Sequence, residues 1–190
     1  MFGVEQATTY IFPSKAGREE RAEFVWRLAN TIVSKSIRRV VCVGTDRSTG
    51  DSFGPLVGWF LRESGTPLEV IGTVHEPIHA ANLHTVTGLT GVLAVDASLG
   101  SLSRVGAVYL EEGPLTPGAG VNKVLGTIGD AHLCGTVNVA GLMEYFVLQN
   151  TRLSVVMKMA QYTAEVIREA FTQAKSLMEA AAANAPATSV

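Results

Sequence analysis

The sequence predicts an α/β protein, a three-layer sandwich with a mostly parallel sheet and one antiparallel strand. Short, continuously apolar runs at residues 39–43 and 92–95 are typical of strands buried on both faces of a parallel sheet. Segments with apolar residues at helical spacing separate these runs, and that alternation is typical of α/β folds. Only residues 96–104 lie between the strands predicted at 92–95 and 105–110, which is too short for a parallel crossover. The second of these two strands is therefore expected to be antiparallel to the first.

The first half of the chain supplies two helices and two strands of this fold. Apolar residues recur at helical spacing from Ala22 to Val33, which predicts the first helix. Pro55 stands where the second helix would begin, a position at which its missing N–H group breaks no helical hydrogen bond. In order, we expect a helix at residues 18–35, a strand at 39–43, a helix at 53–63, a strand at 68–74, and a loop or short helix at 78–88.

The second half of the chain is less regular. Asp96 directly follows an apolar run and is expected to end that strand. Glycine and proline concentrate in the segment from Glu111 to Val121, which predicts a loop. A helical stripe from Met159 to Leu177 predicts a long closing helix. In order, we expect strands at 92–95 and 105–110, a loop at 111–121, a short strand at 124–128, a helix over 139–147, a strand at 153–156 and the closing helix.

Composition limits the class of protein. The 190 residues fit one domain, assigned to residues 1–182 with a flexible tail at 183–190. A net charge of -2 from 15 basic and 17 acidic residues argues against nucleic acid as a partner, and no run of about 20 apolar residues predicts a membrane span. Cys42 and Cys134 lack the spacing of a disulfide framework. We therefore expect a cytoplasmic protein with reduced thiols; its oligomeric state is not readable from the sequence.

Polar residues follow the predicted strands at the edge of the sheet where ligands bind. In open α/β sheets that edge lies outside the carboxyl ends of the strands. Three segments are expected there: the loop after Val43, the segment after Val95, and the loop around residues 130–136. A site built from carboxylates is expected at this edge, although aspartate also favours turns for structural reasons. All four aspartates of the chain follow apparent strands: Asp46, Asp51, Asp96 and Asp130.

The segment from Val43 to Pro55 is the richest in candidate binding residues. A strand that leads through a glycine-rich turn into a helix is typical of phosphate-binding loops. The spacing of Gly44, Gly50 and Gly54 matches no dinucleotide motif, however, and no Lys-Ser/Thr pair follows. On spacing alone Asp51 is either a helix cap or a site residue, since Asp and Ser both cap helices well. We expect this loop to bind substrate through six residues: Thr45, Asp46, Arg47, Ser48, Gly50 and Ser52.

The histidines fall into two groups. His75, His79 and His84 are close enough in sequence for two of them to meet on a helix, but a proline between the first two interrupts that helix and favours a loop role. His132 stands in a segment expected at the active edge, where it is either a loop histidine bonded to backbone or a site residue. Its spacing of two from Cys134 does not predict a nucleophile pair.

Three longer motifs resemble a known family. They are GTDRSTGDSFGPLVG at Gly44–Gly58, VLAVDASLGS from Val92, and GDAHLCGTVNVAGLMEYFVLQNTRL from Gly129. Together they resemble the YyaC-type sporulation proteins of endospore-forming bacteria, over a match that runs from about Val40 to Ala160. That group is similar to the spore germination protease and, more distantly, to the hydrogenase maturation endopeptidases. The resemblance implies a phosphorylase/hydrolase-like α/β sandwich.

The resemblance also implies roles for particular residues. In germination proteases two aspartates carry out proteolysis, one in a D-x-L/F-G-P segment and one that ends a strand as V/I-D-A. Asp51 and Asp96 match these positions. The hydrogenase endopeptidases use the same two positions as metal ligands, with a histidine from a later loop as the third ligand. His132 is the candidate for that third ligand here.

Two mechanisms stay open at this point. Asp51 and Asp96 either share one proton and activate water without a metal, since two nearby carboxylates cannot both ionise cheaply, or bind one divalent metal together with His132. Carboxylate and imidazole ligands do not choose among zinc, nickel and manganese. The resemblance implies an endopeptidase of the forespore or mother cell that cleaves a specific protein or peptide during sporulation or germination. The alternative is a regulatory or peptide-binding protein that keeps the protease fold without catalysis.

Overall fold

A six-stranded sheet is the framework of the protein. The computed structural model describes residues 9–117 and 126–184. The strands are β1 Thr9–Ile11, β2 Arg39–Cys42, β3 Glu69–Ile71, β4 Val92–Gly100, β5 Val108–Glu112 and β6 Ala131–Val139. The helices are α1 Arg18–Ser34, α2 Phe53–Glu63, α3 Glu144–Gln149 and α4 Leu153–Ala183, and short 3-10 turns lie at Gly50–Ser52, Leu83–Thr85 and Leu102–Arg104.

The sheet is parallel except for one strand. Its order is β1-β5-β6-β4-β2-β3. β2 pairs in parallel with β3 and β4, and β4 pairs in parallel with β6. β5 is antiparallel to its neighbours β6 and β1, so it alone runs against the others. The predicted fold class is therefore confirmed, and β5 is the predicted antiparallel strand, although β6 lies between it and β4.

Three helices cover one face of the sheet. Most of the apolar stripe predicted for α1 is buried and Leu28 is fully enclosed, but Ala22, the first residue of the stripe, is exposed. Leu61 of α2 and Ile167 of α4 are also fully enclosed and belong to the same apolar cluster as Val40 and Leu133 of the sheet. Removing each such side chain from water stabilises the fold by about 1.5–3 kcal/mol. The core thus lies between α1, α2 and α4 and this face.

Irregular chain covers the opposite face. Alternate strand residues point to it, among them Val41, Ala94 and Cys134. The layer that packs on them contains the 3-10 turn Leu83–Thr85 and connecting segments. Loops fill space less regularly than packed helices, and the cavity described below opens on this face. The covering apolar residues are Ile78, Leu83, Val86, Leu115 and Ile128.

The segment predicted as the last strand is helical. Residues 153–156 form the first turn of α4, because Val156 continues a helical stripe with Met159 and Ala160 that is buried against α1 and α2. That packing outweighs the strand preference of two adjacent valines. Within the described residues, no helix, α4 included, is apolar enough over a sufficient length to cross a membrane.

Other predicted boundaries also shift. Glu111 and Glu112, predicted as loop, are the last residues of β5. Of the short strand predicted at 124–128, Ile128 forms a single bridge with Leu115, while residues 124 and 125 lie outside the described residues. The helix predicted over 139–147 is the shorter α3. Residues 1–8 and most of the predicted tail, 185–190, also lie outside the described residues.

β4 is longer than predicted and β6 was not predicted as a strand, which changes the setting of Asp96 and His132. β4 continues through Asp96 to Gly100, and the segment predicted as a loop around residues 130–136 is mostly β6. The two strands extend because they hydrogen bond to each other along almost their whole length. β2 ends opposite Val95, so Asp96 lies in mid-strand but at the level where the neighbouring strand stops.

Candidate active site

A cavity of about 490 Å³ opens where β2 ends beside β4. Asp51 and Asp96, the two aspartates predicted to be catalytic, both line it. The walls are otherwise largely apolar, as in most small-molecule and peptide pockets. The remaining lining residues are Val43, Gly44, Thr45, His79, Ala80, Leu83, Ala97, Ser98, Leu99, Tyr109, Leu115, Thr116, Pro117, Cys134, Glu144, Tyr145 and Leu148.

Close backbone packing places Asp51 near Asp96. The turn Gly50–Ser52 leads directly into α2, whose second residue is Gly54. A Cβ atom on Gly54 would collide with the carbonyl oxygen of Val43 and would lie 2.9 Å from that of Val95. Only glycine therefore lets α2 begin directly on the ends of β2 and β4. The start of this helix, and Asp51 with it, is held against the strand that carries Asp96.

The turn before Asp51 is equally tight. Gly44 has a φ of 140°, and a Cβ atom there would collide with the carbonyl oxygen of Asp51. The amide of Thr45 donates to that same oxygen at 3.1 Å. Ser52 is the N-cap of α2, but its hydroxyl donates to the carbonyl of Thr49 at 2.6 Å. The turn is thus built by backbone contacts, and the Asp51 carboxyl group lies on the cavity wall.

The two carboxyl groups interact electrostatically. The pKa of Asp96 is raised to about 8. Burial is the main cause, the negative charge of Asp51 adds to it, and the backbone N–H of Ala97, which donates to Oδ1 of Asp96 at 2.8 Å, acts in the opposite direction. Burial also raises the pKa of Asp51, against the effect of the nearby Ser48 hydroxyl. At neutral pH Asp96 therefore holds a proton. Two carboxyl groups with one proton between them supply an acid and a base in one cavity.

A row of side chains extends from Asp96 across the sheet. Asp96 pairs with Cys134 on β6, and Cys134 pairs with Tyr109 on β5, so the three side chains share one face. The Tyr109 hydroxyl interacts electrostatically with the Ser98 hydroxyl and the Cys134 thiol. Burial and the charge of Asp96 raise the pKa of the Cys134 thiol, so that it stays neutral at physiological pH. Cys134 is a poor nucleophile in this setting.

His132 lies outside the cavity. It precedes Cys134 by two residues on the same face of β6, which is about 6.6 Å along a strand. Its Nδ1 donates to the carbonyl oxygen of Gly113 at 3.0 Å, and its Nε2 is 3.2 Å from the Glu111 carboxylate. The three ligands predicted for a metal therefore do not converge. Among the described residues, no group of three or more His, Cys, Asp and Glu side chains is arranged to hold a metal ion.

His79 lines the cavity with the two aspartates, although the sequence favoured only a loop role for it. Its position follows from a parallel bridge between Val43 and Ile78, in which the Gly44 amide donates to the Ile78 carbonyl at 2.8 Å. This bridge draws the loop after β3 onto the end of β2. His75 and His84 are exposed. No sequence signal separates His79 from these two, because the bridge depends on tertiary contacts.

The predicted binding loop divides into exposed and buried parts. Thr45 lines the cavity, whereas Asp46 and Arg47 are exposed beside it. The other three predicted residues, Ser48, Gly50 and Ser52, are buried within the turn. Asp130 lies at the opposite edge of the sheet. It precedes β6, and its carboxylate accepts a hydrogen bond at 2.9 Å from the amide of the first residue of β4.

Comparison with known proteins shows the family to which this chain belongs. Residues 16–166 match the family described as "Protein of unknown function (DUF1256)". This chain belongs to that family. It is 51% identical over 150 residues to "Uncharacterized protein YyaC" of Bacillus subtilis (strain 168), a match that covers 71% of this chain and 73% of that relative. The resemblance to YyaC-type proteins is therefore confirmed.

A solved structure supports the fold. The NiFe hydrogenase maturation protease HycI from Thermococcus kodakarensis KOD1 matches with a TM-score of 0.50 and 18% sequence identity. The match covers 75% of this chain and 98% of that one. This chain thus has a protease-like fold, which agrees with the phosphorylase/hydrolase-like sandwich that the resemblance implied.

Proposed function

We propose that this protein is an endopeptidase that cleaves a specific protein or peptide with Asp51 and Asp96. The observation that carries the proposal is the shared cavity in which Asp96 is protonated at neutral pH while Asp51 lies close enough to raise its pKa. The protease-like fold supports the same reaction class. A role in sporulation or germination, in the cytoplasm of the forespore or mother cell, is part of the proposal and is supported by the family resemblance.

The proposed chemistry needs one water molecule and the two carboxyl groups. Ionised Asp51 takes a proton from the water as its oxygen attacks the peptide carbonyl carbon, and Asp96 gives its proton to the carbonyl oxygen. The resulting gem-diol collapses as the C–N bond breaks. Asp51 then protonates the leaving nitrogen, and a hydroxyl of the gem-diol returns a proton to Asp96. Atoms and protons balance, and the pair is restored.

A metal-assisted version has less support among the described residues. Asp51 and Asp96 would be two of the three ligands, but His132 is held by Gly113 and Glu111. The cavity therefore holds two of the three predicted metal ligands but not the third. We expect a chelator such as EDTA to leave cleavage unchanged. Loss of cleavage with EDTA, restored by zinc, nickel or manganese, would contradict the metal-free mechanism.

The test is a search for cleavage in a peptide library. Purified protein is incubated with a proteome-derived peptide library, and new termini are identified by mass spectrometry. Wild type is expected to cut a small set of sequences, whereas Asp51→Asn and Asp96→Asn cut none of them. Glu63→Gln, which changes an exposed carboxylate at the far end of α2 to an amide, is the matched control and should behave as wild type. Cleavage by both site variants would disprove the proposal.

A peptide-binding protein without catalysis is the second candidate. Exposed apolar side chains flank the cavity on and before α3: Leu142 is 93% exposed, Met143 72%, Tyr145 65% and Phe146 56%. Exposed apolar side chains grouped in this way often mark binding surfaces. Peptides that bind saturably to wild type and to the Asp96→Asn variant, with no new termini in either case, would favour this function.

A further inference from the structure

We infer that the ring Nε2–H of His79 is a second hydrogen-bond donor to the peptide carbonyl oxygen in the Asp51/Asp96 cavity. This inference rests on the proposed endopeptidase function. His79 lines the same cavity as the two aspartates, and neither the family match nor the similar structure assigns it a role. The carbonyl oxygen has two lone pairs, of which Asp96 serves one. His79 serves the other as negative charge develops on that oxygen.

The hydrogen bonds of His79 determine which ring nitrogen carries the proton. The amide N–H of Ala81 donates to Nδ1 at 3.2 Å, so Nδ1 acts as an acceptor. In a neutral imidazole the other nitrogen then holds the hydrogen. The ring therefore presents Nε2–H as a donor.

The loop around His79 is held in place by its own hydrogen bonds. The His79 amide donates to Oδ1 of Asn82 at 2.8 Å, and Nδ2 of Asn82 donates to the Pro77 carbonyl at 3.0 Å. Ile78 is tied to the end of β2 by its bridge with Val43. A donor that is already positioned stabilises developing charge without a reorganisation cost. His79 is positioned in this way, because its loop is anchored to the end of β2, beside the turn that carries Asp51.

Two other polar side chains of the cavity, Tyr109 and Ser98, already have partners. Among the lining residues that the structure describes, none is lysine or arginine. The Tyr109 hydroxyl already interacts with Ser98 and Cys134, and the Ser98 hydroxyl lies 3.3 Å from that of Thr136. His79 is thus a lining side chain whose Nδ1 contact with Ala81 leaves the proton on Nε2 and whose loop is bonded to the sheet.

Two substitutions separate a donor from a merely structural histidine. Asparagine at position 79 places its oxygen near the place of Nδ1, which keeps the Ala81 hydrogen bond but removes the Nε2 donor. Glutamine places its amide nitrogen near the place of Nε2, which keeps the donor but removes the Ala81 contact. The assay uses the peptide that wild type cuts fastest in the library. His75→Asn, at an exposed position of the same segment, is the control.

We expect His79→Asn to lower kcat about 10²- to 10³-fold, in line with the loss of one oxyanion donor, with KM nearly unchanged. His79→Gln should stay within about fivefold of wild type. The reverse order, or equal losses, would show that His79 acts only on the loop and would overturn the inference. The proposed function would stand in that case, because wild type would still cleave and the aspartate variants would not.

Nitrogen-15 NMR of the histidine rings gives a readout independent of cleavage. We expect the resonance assigned through the His79→Asn variant to report a proton on Nε2 and none on Nδ1. A proton on Nδ1 would overturn the inference whether or not any peptide is cut. If wild type cuts nothing in the library, the proposed function fails, and the catalytic role inferred for His79 fails with it.

Discussion

Asp96 and His132 lie on neighbouring strands and on the same face of one sheet, yet their polar groups have opposite surroundings. Both ring nitrogens of His132 face an oxygen, one from Gly113 and one from Glu111. Asp96 faces a cavity and a second carboxyl group, and its pKa is raised to about 8. Polar groups that stabilise a fold are paired, whereas groups held in an unfavourable state are typical of functional sites. The comparison therefore identifies the surroundings of Asp96, and not those of His132, as the candidate reactive site.

The largest effect is expected from substitution of the two aspartates that line the cavity. Replacement of Asp96 or Asp51 by asparagine should lower the rate of peptide cleavage at least about 10³-fold, because it removes the acid or the base. Thermal unfolding of both variants should stay near or above that of wild type, since the substitution removes a carboxyl group that is costly to ionise. Peptide cleavage and a melting curve on the same samples check both statements. A variant that unfolds readily would instead place Asp96 among the residues that stabilise the fold.

The next largest effect is expected at Gly54, where close packing both stabilises the fold and positions Asp51. Gly54→Ala puts a methyl group against the carbonyl oxygens of Val43 and Val95, which should lower the free energy of unfolding by about 2–3 kcal/mol. The same shift of α2 should move Asp51 away from Asp96 and reduce cleavage. Gly17→Ala is the control, because nothing lies within 4 Å of a Cβ atom there. Urea unfolding at equilibrium measures the difference, and equal stability of both variants would contradict this account of the turn.

A smaller effect on stability is expected at the paired histidine. His132→Ala removes the contacts with Gly113 and Glu111 from a buried position, at a cost of about 2 kcal/mol in unfolding free energy. Cleavage should fall far less than in the aspartate variants. His75→Ala, at an exposed position, should leave the unfolding free energy unchanged. If His132→Ala instead released one bound metal ion per chain, His132 would be a metal ligand and the contrast with Asp96 would be wrong.

The placement of Asp51 and Asp96 shows what local sequence can predict. Apolar runs and helical stripes predicted β2, α1, α2 and the single antiparallel strand, because burial on one or both faces leaves a direct pattern. The rule that ligands bind outside the carboxyl ends of the strands placed Asp51 and Asp96 at one edge of the sheet, and the family resemblance paired them as site residues. These inferences depend on residues that are close together in the sequence and on the general rule for ligand sites at the edge of parallel sheets.

The errors concern contacts that the sequence does not display. The polar and small residues of β4 after Val95, and the His132 segment of β6, form strands only because the two segments pair with each other. His79 reaches the cavity only through the bridge between Val43 and Ile78. Residues 153–156 become helical because α1 and α2 cover one side of α4. In each case a partner distant in sequence decides the structure, and local propensity is overruled.

The comparison also predicts the pH dependence of stability. Because the pKa of Asp96 is raised to about 8 in the folded state from about 3.9 when unfolded, the folded protein binds one more proton than the unfolded chain between these values. Stability from this group is therefore fully present below about pH 4 and is lost as the pH rises to about 8. The expected slope is about 1.4 kcal/mol per pH unit. Asp51, with its pKa also raised, contributes with the same sign.

Urea unfolding of wild type and the Asp96→Asn variant at several pH values between about 5 and 8 tests this prediction. The difference in unfolding free energy between the two proteins should shift in favour of the variant by about 1.4 kcal/mol for each unit of increasing pH. A difference that does not vary with pH would mean that Asp96 titrates alike in the folded and unfolded chain. The Asp96 carboxyl group would then be as well accommodated as His132, and the site would have no protonated acid at neutral pH.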